Sequence, residues 1–109
     1  MTQQAPTQID NATIVLKANI YFDGKVTSHT ILLPDGTKKS VGLLYPGAYT
    51  FNTDAAERMD IIAGSCTVKL ADDTETKTYT EGTHFNIPAQ SSFDIQIESG
   101  ITEYLCSYE

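Results

Sequence analysis

Turn signals recur along this chain at intervals too short for long helices, and this spacing is the feature that most limits its possible folds. Pairs such as Asp23-Gly24, Pro46-Gly47 and Glu81-Gly82 separate stretches rich in Val, Ile, Thr, Tyr and Phe. These residue types favour extended backbone, whereas Gly, Pro and Asp interrupt it. No stretch keeps a helical apolar period of about 3.6 residues over several turns. The sequence therefore predicts an all-β fold of about nine or ten short strands.

The predicted strands form one domain, residues 14–109, after a polar N-terminal tail, residues 1–13. The first is one long strand from Ile14 to Phe22, a plausible edge for pairing with a second copy. Alternation is cleanest at residues 93–97, where Phe93, Ile95 and Ile97 would face a core. The other predicted strands cover residues 26–33, 40–45, 48–53, 58–63, 66–70, 74–80, 83–87, 92–98 and 101–108. So many short strands must bury one face each and protect their edges, which favours a sandwich or a closed barrel such as the jelly roll.

Charge narrows the possible partners. The formal net charge is −7, and the seven Lys and Arg residues include one adjacent pair, Lys38-Lys39. Gripping a nucleic-acid backbone needs clustered cations, so no nucleic-acid partner is expected, whereas one or two cations suffice for a small phosphate ligand. No apolar run is long enough to span a membrane, and the polar start lacks a secretory signal. We therefore expect a cytoplasmic protein with no membrane partner.

The two cysteines, Cys66 and Cys106, each lie inside a predicted strand. In a chain without a secretory signal, such cysteines are expected to be buried thiols rather than a disulfide.

Two segments match the turns of the cupin pattern but lack its metal ligands. In the first motif Gly47 opens the region, and Glu57 stands seven residues before Gly64. The places of the two metal-binding histidines hold Phe51 and Thr53, or Thr50 and Asn52 if the gap is one residue shorter.

The second cupin motif departs from the pattern in the same way. Gly82 and Pro88 keep its spacing, while Phe93 and Ile97 occupy the places of the histidine ligand and the asparagine. Iron, manganese or zinc needs three or four converging N, O or S donors, and Glu57 alone is no such set. The sequence therefore predicts a cupin-type jelly-roll β-barrel without the metal-binding histidines and without a metal.

The segment from Asn19 to the end of the chain, about five-sixths of the sequence, resembles one family of small cupins. The resemblance depends on the order and spacing of several short pieces: Tyr21-Phe22-Asp23-Gly24-Lys25-Val26, Ser40-Val41-Gly42, residues 47–53, Phe85-Asn86-Ile87-Pro88 and Tyr104-Leu105-Cys106. Together they are similar to the pyrimidine/purine nucleoside phosphorylases. One departure is the loop Pro88-Ala89-Gln90, where the family often has Pro-Gly-His, so a role for a histidine there does not carry over.

This resemblance implies phosphorolysis: a nucleoside and phosphate give a free nucleobase and ribose 1-phosphate, with broad tolerance of the base. Inorganic phosphate would be the co-substrate, with no metal or covalent intermediate. Such a site must hold an anion beside the sugar, stabilise the leaving base and position both.

The cations, hydroxyls and carboxylates that such a reaction needs have candidates in the sequence. For phosphate, Lys25 and Lys38 are the preferred cations over Lys39 and Arg58, with the hydroxyls of Ser40 and Thr53 as further ligands. Taken alone, each lysine is more often a solvated strand-end residue. For the ribose hydroxyls the candidate is Glu57, at the cupin position that faces inward, although a carboxylate there can also cap a turn.

Loose base recognition needs an aromatic face and an amide, and protonation of the leaving base needs a general acid. The acid candidates are the histidines, with His84 preferred over His29, although a strand histidine is more often structural. The aromatic and amide candidates, each of which can instead belong to the core or surface, are Tyr49, Phe51, Phe85, Tyr104 and Gln90.

A different class of function fits the same residues. A non-catalytic cupin module that binds a nucleoside or a sugar also needs an anion-friendly pocket lined with aromatic side chains. In either case a chain of this size leaves about a third of its unfolded-state surface exposed, so a homodimer is expected.

Overall fold

The computed structural model describes residues 5–108, and all of its strand pairs are antiparallel. Those residues form eleven strands and one short 3-10 turn, Phe22–Gly24. The strands are β1 (Thr13–Ile14), β2 (Asn19–Tyr21), β3 (Val26–Leu32), β4 (Lys38–Leu44), β5 (Gly47–Asn52), β6 (Glu57–Ala63), β7 (Ser65–Leu70), β8 (Lys77–Thr80), β9 (His84–Ile87), β10 (Ser92–Ile97) and β11 (Thr102–Tyr108). The all-β prediction is confirmed.

The strands form two sheets that pack face to face. The larger sheet has the order β1-β3-β4-β11-β6-β9, with β2 also paired to β3, and the smaller has the order β5-β10-β7-β8. Buried side chains of both sheets form one core, as Leu44 and Ile61 of the larger sheet and Val68 and Ile95 of the smaller sheet illustrate. The fold is therefore a two-layer antiparallel sandwich.

The predicted closed barrel is not confirmed, because the described strands do not form one continuous hydrogen-bonded ladder. Among residues 5–108 no strand pairing joins the two sheets. Hydrogen bonds outside the strand ladders connect the layers instead, such as the one that Thr102 Oγ1 of β11 donates to Ser65 O of β7 at 2.6 Å. Short strands at the sheet edges give a physical reason: β1, β2, β8 and β9 have two, three, four and four residues, too few to extend a ladder around a corner.

Side-chain alternation sets which residues reach the interior. In β10, Phe93, Ile95 and Ile97 are buried while the residues between them are exposed, so the predicted inward face is confirmed. The same alternation in β6 turns Met59 and Ile61 toward the core, together with Glu57 at the start of the strand.

The prediction of one long strand from Ile14 to Phe22 is wrong. Strand β1 pairs with residues 31 and 32 of β3, and β2 pairs with residues 26–28, so four residues of the first segment face two of β3. The excess residues cannot follow the ladder and loop outward. His29 Nδ1 lies 3.2 Å from Val15 O beside this interruption, which gives His29 a structural contact.

The N-terminal segment lies against the outer face of the larger sheet. Residues 6–9, 12 and 14 border an apolar cleft whose floor is formed by Ile31, Val41, Ile62 and Leu105. Residues 1–4 of the predicted tail lie outside the described residues, so the tail remains a prediction. In the part of the chain that the structure describes, no helix is long and apolar enough to cross a membrane.

Cys66 and Cys106 are both free and buried, as predicted.

Candidate active site

A cavity of about 210 Å³ opens between the two sheets. One part of its wall is apolar and aromatic, and the other carries a carboxylate, hydroxyls, an amide and a thiol. Its lining residues are Tyr21, Ser28, Ser40, Leu44, Phe51, Asn52, Glu57, Met59, Phe93, Ile95, Tyr104, Cys106 and Tyr108.

Glu57 is the carboxylate of this cavity. It is the first residue of β6, on the same face as Met59, and its side chain is half-buried. Burial raises the pKa of Glu57, a hydrogen bond from Cys106 lowers it in part, and the negative charge of Asp54 raises it further. The Cys106 thiol donates this hydrogen bond at 3.4 Å to Glu57 Oε1.

A pair of hydroxyls lies next to Glu57. The hydroxyl oxygens of Ser40 and Tyr108 are 2.8 Å apart, and Tyr108 lies opposite Glu57 in the register of β11 and β6. Burial raises the pKa of Tyr108 to about 12, so its phenol is neutral at physiological pH. The Nζ atom of Lys38 lies 5.1 Å from the centre of the Tyr108 ring, within range of a cation–π contact.

Aromatic rings form the opposite part of the wall. The rings of Phe51 and Phe93 stack with centres 5.6 Å apart and planes inclined by 27°. Tyr21 meets Phe51 edge-on at 6.5 Å, close to where the chain turns through Phe22 and Asp23. Tyr104 closes the wall on the larger sheet, and its hydroxyl donates to Thr27 O at 3.3 Å. Burial is the main reason why the pKa of Tyr104 is raised.

The structure brings together a subset of the residues predicted for the site. Glu57, Ser40, Phe51 and Tyr104 all line the cavity. Lys38 does not line the cavity, but its Nζ lies over the ring of Tyr108, which does. These five residues come from β4, β5, β6 and β11 of both sheets.

Three other predicted residues face or bond elsewhere. The Thr53 hydroxyl donates to Pro88 O at 2.7 Å and accepts from Ser91 N at 2.9 Å, so it stabilises the loop between β9 and β10. The Tyr49 hydroxyl donates to Tyr45 O at 2.7 Å. Phe85 belongs to the core behind the cavity, with its ring centre 5.9 Å from that of Phe93.

The remaining predicted residues lie outside the cavity. Lys25 is exposed and directly follows the 3-10 turn. Gln90 is exposed in a turn with a backbone φ of 51°. His84 alternates with the inward-facing Phe85 on β9, so it lies on the outer face of the larger sheet, opposite Asp60 in the register. The structure does not place His84 within the cavity.

Sequence reasoning missed several lining residues, above all Cys106 and Tyr108. Their signal was present in β11, where Tyr104, Cys106 and Tyr108 follow one another at the two-residue spacing of a single strand face. Asn52 and Tyr21 were missed for a different reason. Their proximity depends on the pairing of the sheets and on the turn at Phe22, which no local pattern reports.

The donor set of the cavity differs from that of a metal centre. Within the described residues, no group of three or more His, Cys, Asp or Glu side chains is placed to hold a metal ion. Phe51, at one of the places where the cupin pattern has a histidine, contributes an aromatic ring to the wall.

Known structures resemble this fold over most of its length. A crystal structure of an Acinetobacter sp. ADP1 protein of unknown function is 41% identical, with a TM-score of 0.90, covering 94% of this chain and 98% of that one. Bacillus subtilis oxalate decarboxylase, a cupin-like protein, is 19% identical with a TM-score of 0.74, covering 98% of this chain and 31% of that one. This second likeness shows the fold alone.

Several sequence relatives carry the same name. A pyrimidine/purine nucleoside phosphorylase of Cupriavidus taiwanensis is 48% identical over 103 residues, which is 94% of this chain and 97% of the relative. One of Herminiimonas arsenicoxydans is 51% identical over 102 residues, again 94% and 97%. The family model described as pyrimidine/purine nucleoside phosphorylase matches residues 16–108. The chain therefore belongs to the pyrimidine/purine nucleoside phosphorylase family.

Proposed function

We propose that this protein is a broad-specificity nucleoside phosphorylase whose active site is the cavity between the sheets. The observation that carries the proposal is the joint presence of a half-buried carboxylate, Glu57, and a stacked aromatic wall, Phe51 and Phe93, around one cavity. A buried carboxylate is costly unless it is hydrogen-bonded or used by a ligand. The family membership supplies the substrates, nucleosides and phosphate.

Glu57 is proposed to bind the ribose hydroxyls. A carboxylate offers about four lone-pair sites, and the Cys106 thiol uses one of them on Oε1. The others remain for two neighbouring sugar hydroxyls. Two hydrogen bonds from a rigid ring to one carboxylate fix the orientation of C1′.

Lys38 and Ser40 are proposed to bind inorganic phosphate, the co-substrate. A phosphate oxygen forms a bond to C1′ while the C1′–N bond breaks, and the bonding electron pair leaves with the base. The proton that phosphate loses ends on the released base. The carbocation-like sugar then lies between an anion and a carboxylate, which stabilises its positive charge. The available side chains support this route without a metal or covalent intermediate.

The aromatic wall supports broad tolerance of the base. Phe51 and Phe93 offer π-faces but no hydrogen-bonding groups at their edges. Every nucleobase has a face that can stack, so stacking binds purines and pyrimidines with little discrimination.

We also propose that the protein is a cytoplasmic homodimer. Two buried free thiols are consistent with a reducing compartment. The edge formed by β1, β2 and the residues between them carries exposed apolar side chains, among them Leu16 at 82% and Ile20 at 65% exposure. Light scattering should give twice the monomer mass, and Leu16→Asp with Ile20→Asp should return it to the monomer value.

Phosphate dependence tests the enzyme. Purified protein is incubated with adenosine and with uridine, with and without phosphate, and free base and ribose 1-phosphate are separated by chromatography. We expect both products from both nucleosides only when phosphate is present. A protein that binds nucleosides by calorimetry but releases no base is the alternative, a non-catalytic binding module.

A further inference from the structure

Tyr108, near the end of the last strand, has three polar neighbours at the cavity: Ser40, Lys38 and Glu57. Its hydroxyl oxygen lies 2.8 Å from Ser40 Oγ, its ring lies 5.1 Å beneath Lys38 Nζ, and its backbone pairs with Glu57. Ser40 and Lys38 lie on β4, on the opposite side of β11 from Glu57. Tyr108 therefore lies between Lys38 and Ser40 on one side and the carboxylate of Glu57 on the other.

The mutual hydrogen bond of Ser40 and Tyr108 leaves one O–H of the pair able to donate to a ligand. Ser40 and Tyr108 each carry one O–H donor, and their mutual hydrogen bond uses one of the two. The sulfur of Cys106 interacts with both hydroxyls but is a weak acceptor, and Ser40 and Tyr108 both line the cavity. An oxygen-rich anion in the cavity is a suitable acceptor for it, since hydrogen bonds to charged groups are the stronger kind.

The ring of Tyr108 restricts where Lys38 can go. Lysine is a flexible side chain, and an aromatic face within about 6 Å attracts its ammonium group. The neighbouring Lys39 shows the contrast, because alternation turns it to the outer face, where its Nζ donates to Ser107 Oγ at 2.7 Å. One lysine of the pair thus has its charge over a ring that lines the cavity, and the other does not.

We infer that Tyr108 builds the phosphate subsite, with the Tyr108–Ser40 hydroxyl pair donating one hydrogen bond to phosphate and the Tyr108 ring holding Lys38 beside it. The inference rests on the proposed function for the identity of the anion, and it adds Tyr108 to the residues predicted to bind phosphate.

Kinetics of matched variants test it. Phosphate KM is measured at saturating nucleoside, and nucleoside KM at saturating phosphate, for Tyr108→Phe, Tyr108→Leu, Lys38→Met and Lys39→Met. Tyr108→Phe keeps the ring and should raise phosphate KM about ten-fold, as expected for loss of a hydrogen bond to a charged group, with nucleoside KM within about two-fold. Lys39→Met, the control, should leave both within about two-fold.

A double-mutant cycle tests the role of the ring. Lys38→Met should raise phosphate KM clearly in the wild-type background and much less in the Tyr108→Leu background, because the ring no longer positions the ammonium group. If Lys38→Met raises phosphate KM by the same factor in both backgrounds, Tyr108 does not position Lys38. If Tyr108→Leu fails to fold by circular dichroism, Tyr108→Phe still tests the hydroxyl, and Lys38→Met still tests the ammonium group.

Direct binding separates this inference from the proposed function. Inorganic phosphate is titrated into wild-type protein and Tyr108→Phe and followed by phosphorus NMR. Weaker phosphate binding by Tyr108→Phe than by the wild type supports the subsite. If the wild type nevertheless releases no base from any nucleoside, the proposed phosphorylase activity is wrong but the phosphate subsite stands. Equal binding to both proteins, or no phosphate binding by the wild type, overturns the inference.

Discussion

The thiol of Cys106 donates a hydrogen bond of 3.4 Å to Oε1 of Glu57, from β11 to the diagonal position on β6. Burial is the main reason why the pKa of Cys106 is raised to about 12, and the nearby Glu57 charge adds to it. The thiol is therefore protonated at physiological pH, and it acts on the carboxylate as a donor rather than on a substrate as a nucleophile.

Removing the charge of Glu57 should reduce activity more than stability. Glu57→Gln keeps the size of the side chain but replaces a charged acceptor by a neutral one. Two weakened hydrogen bonds predict a fall in kcat/KM of about 100-fold, at about one power of ten for each bond. The melting temperature should stay the same or rise, because burial disfavours the charge. Glu98→Gln, the same change at an exposed carboxylate outside the cavity, is the control. A clear loss of stability in Glu57→Gln that matches its loss of activity would mark Glu57 as structural.

Cys106 should act through its hydrogen bond. Cys106→Ala removes the donor and should lower kcat about ten-fold, whereas Cys106→Ser keeps a donor and should retain most of the activity. Because the thiol bond lowers the Glu57 pKa, Cys106→Ala should also move the acid limb of the pH profile of kcat/KM to higher pH. Equal losses in the two variants without a shift of that limb would assign Cys106 to packing alone.

Local patterns predicted which side of a strand faces inward but not which strands are neighbours. The two-residue alternation correctly placed Phe93, Ile95 and Ile97 on the inner face. The cupin pattern placed Glu57 there, and it lines the cavity. The contacts of Ser40 with Tyr108 and of Glu57 with Cys106, however, join residues 68 and 49 positions apart. They exist because β11 enters the sheet between β4 and β6, and that order is decided by the packing of the whole domain.

Facing inward was also insufficient to predict a role in the cavity. Tyr49 and Phe51 both have inward-facing side chains on β5, yet only Phe51 lines the cavity. The Tyr49 hydroxyl must be satisfied when buried, and the carbonyl of Tyr45 accepts its hydrogen bond in the turn before β5. Phe51 has no such requirement and stays at the cavity wall.

The stability of the protein should depend on pH through Glu57. Its pKa is raised above the ordinary value of 4.5, so between that value and the raised one the folded state binds more protons than the unfolded state. The free energy of unfolding contributed by this group therefore falls as pH rises. Urea unfolding of wild type and Glu57→Gln between about pH 4 and pH 7 should show the wild type losing stability relative to the variant. A relative gain by the wild type would contradict the raised pKa.

Both thiols should resist modification while the protein is folded. Burial raises the pKa of Cys66 to about 11, and that of Cys106 is about 12. At about pH 8 less than about 0.1% of either is thiolate. A disulfide reagent should label neither thiol of the native protein within minutes and should label both after unfolding in guanidinium chloride. Rapid labelling of one thiol in the native state would show an opening of the cavity or core.

Gly42 should be required by the close contact of β3 and β4. A Cβ atom at this position would overlap the carbonyl oxygen of Thr27 and approach Ser28 Cα to 2.9 Å. Both obstacles are backbone of a paired strand and cannot rotate away, so Gly42→Ala should lower the free energy of unfolding by about 3 kcal/mol. Gly36→Ala is the control, since a Cβ at Gly36 meets nothing within 4 Å. Its only cost is the backbone angle of the turn, φ +88°, which is unfavourable for alanine by about 1 kcal/mol. Equal urea midpoints for the two variants would mean that β3 and β4 can separate enough to admit a methyl group.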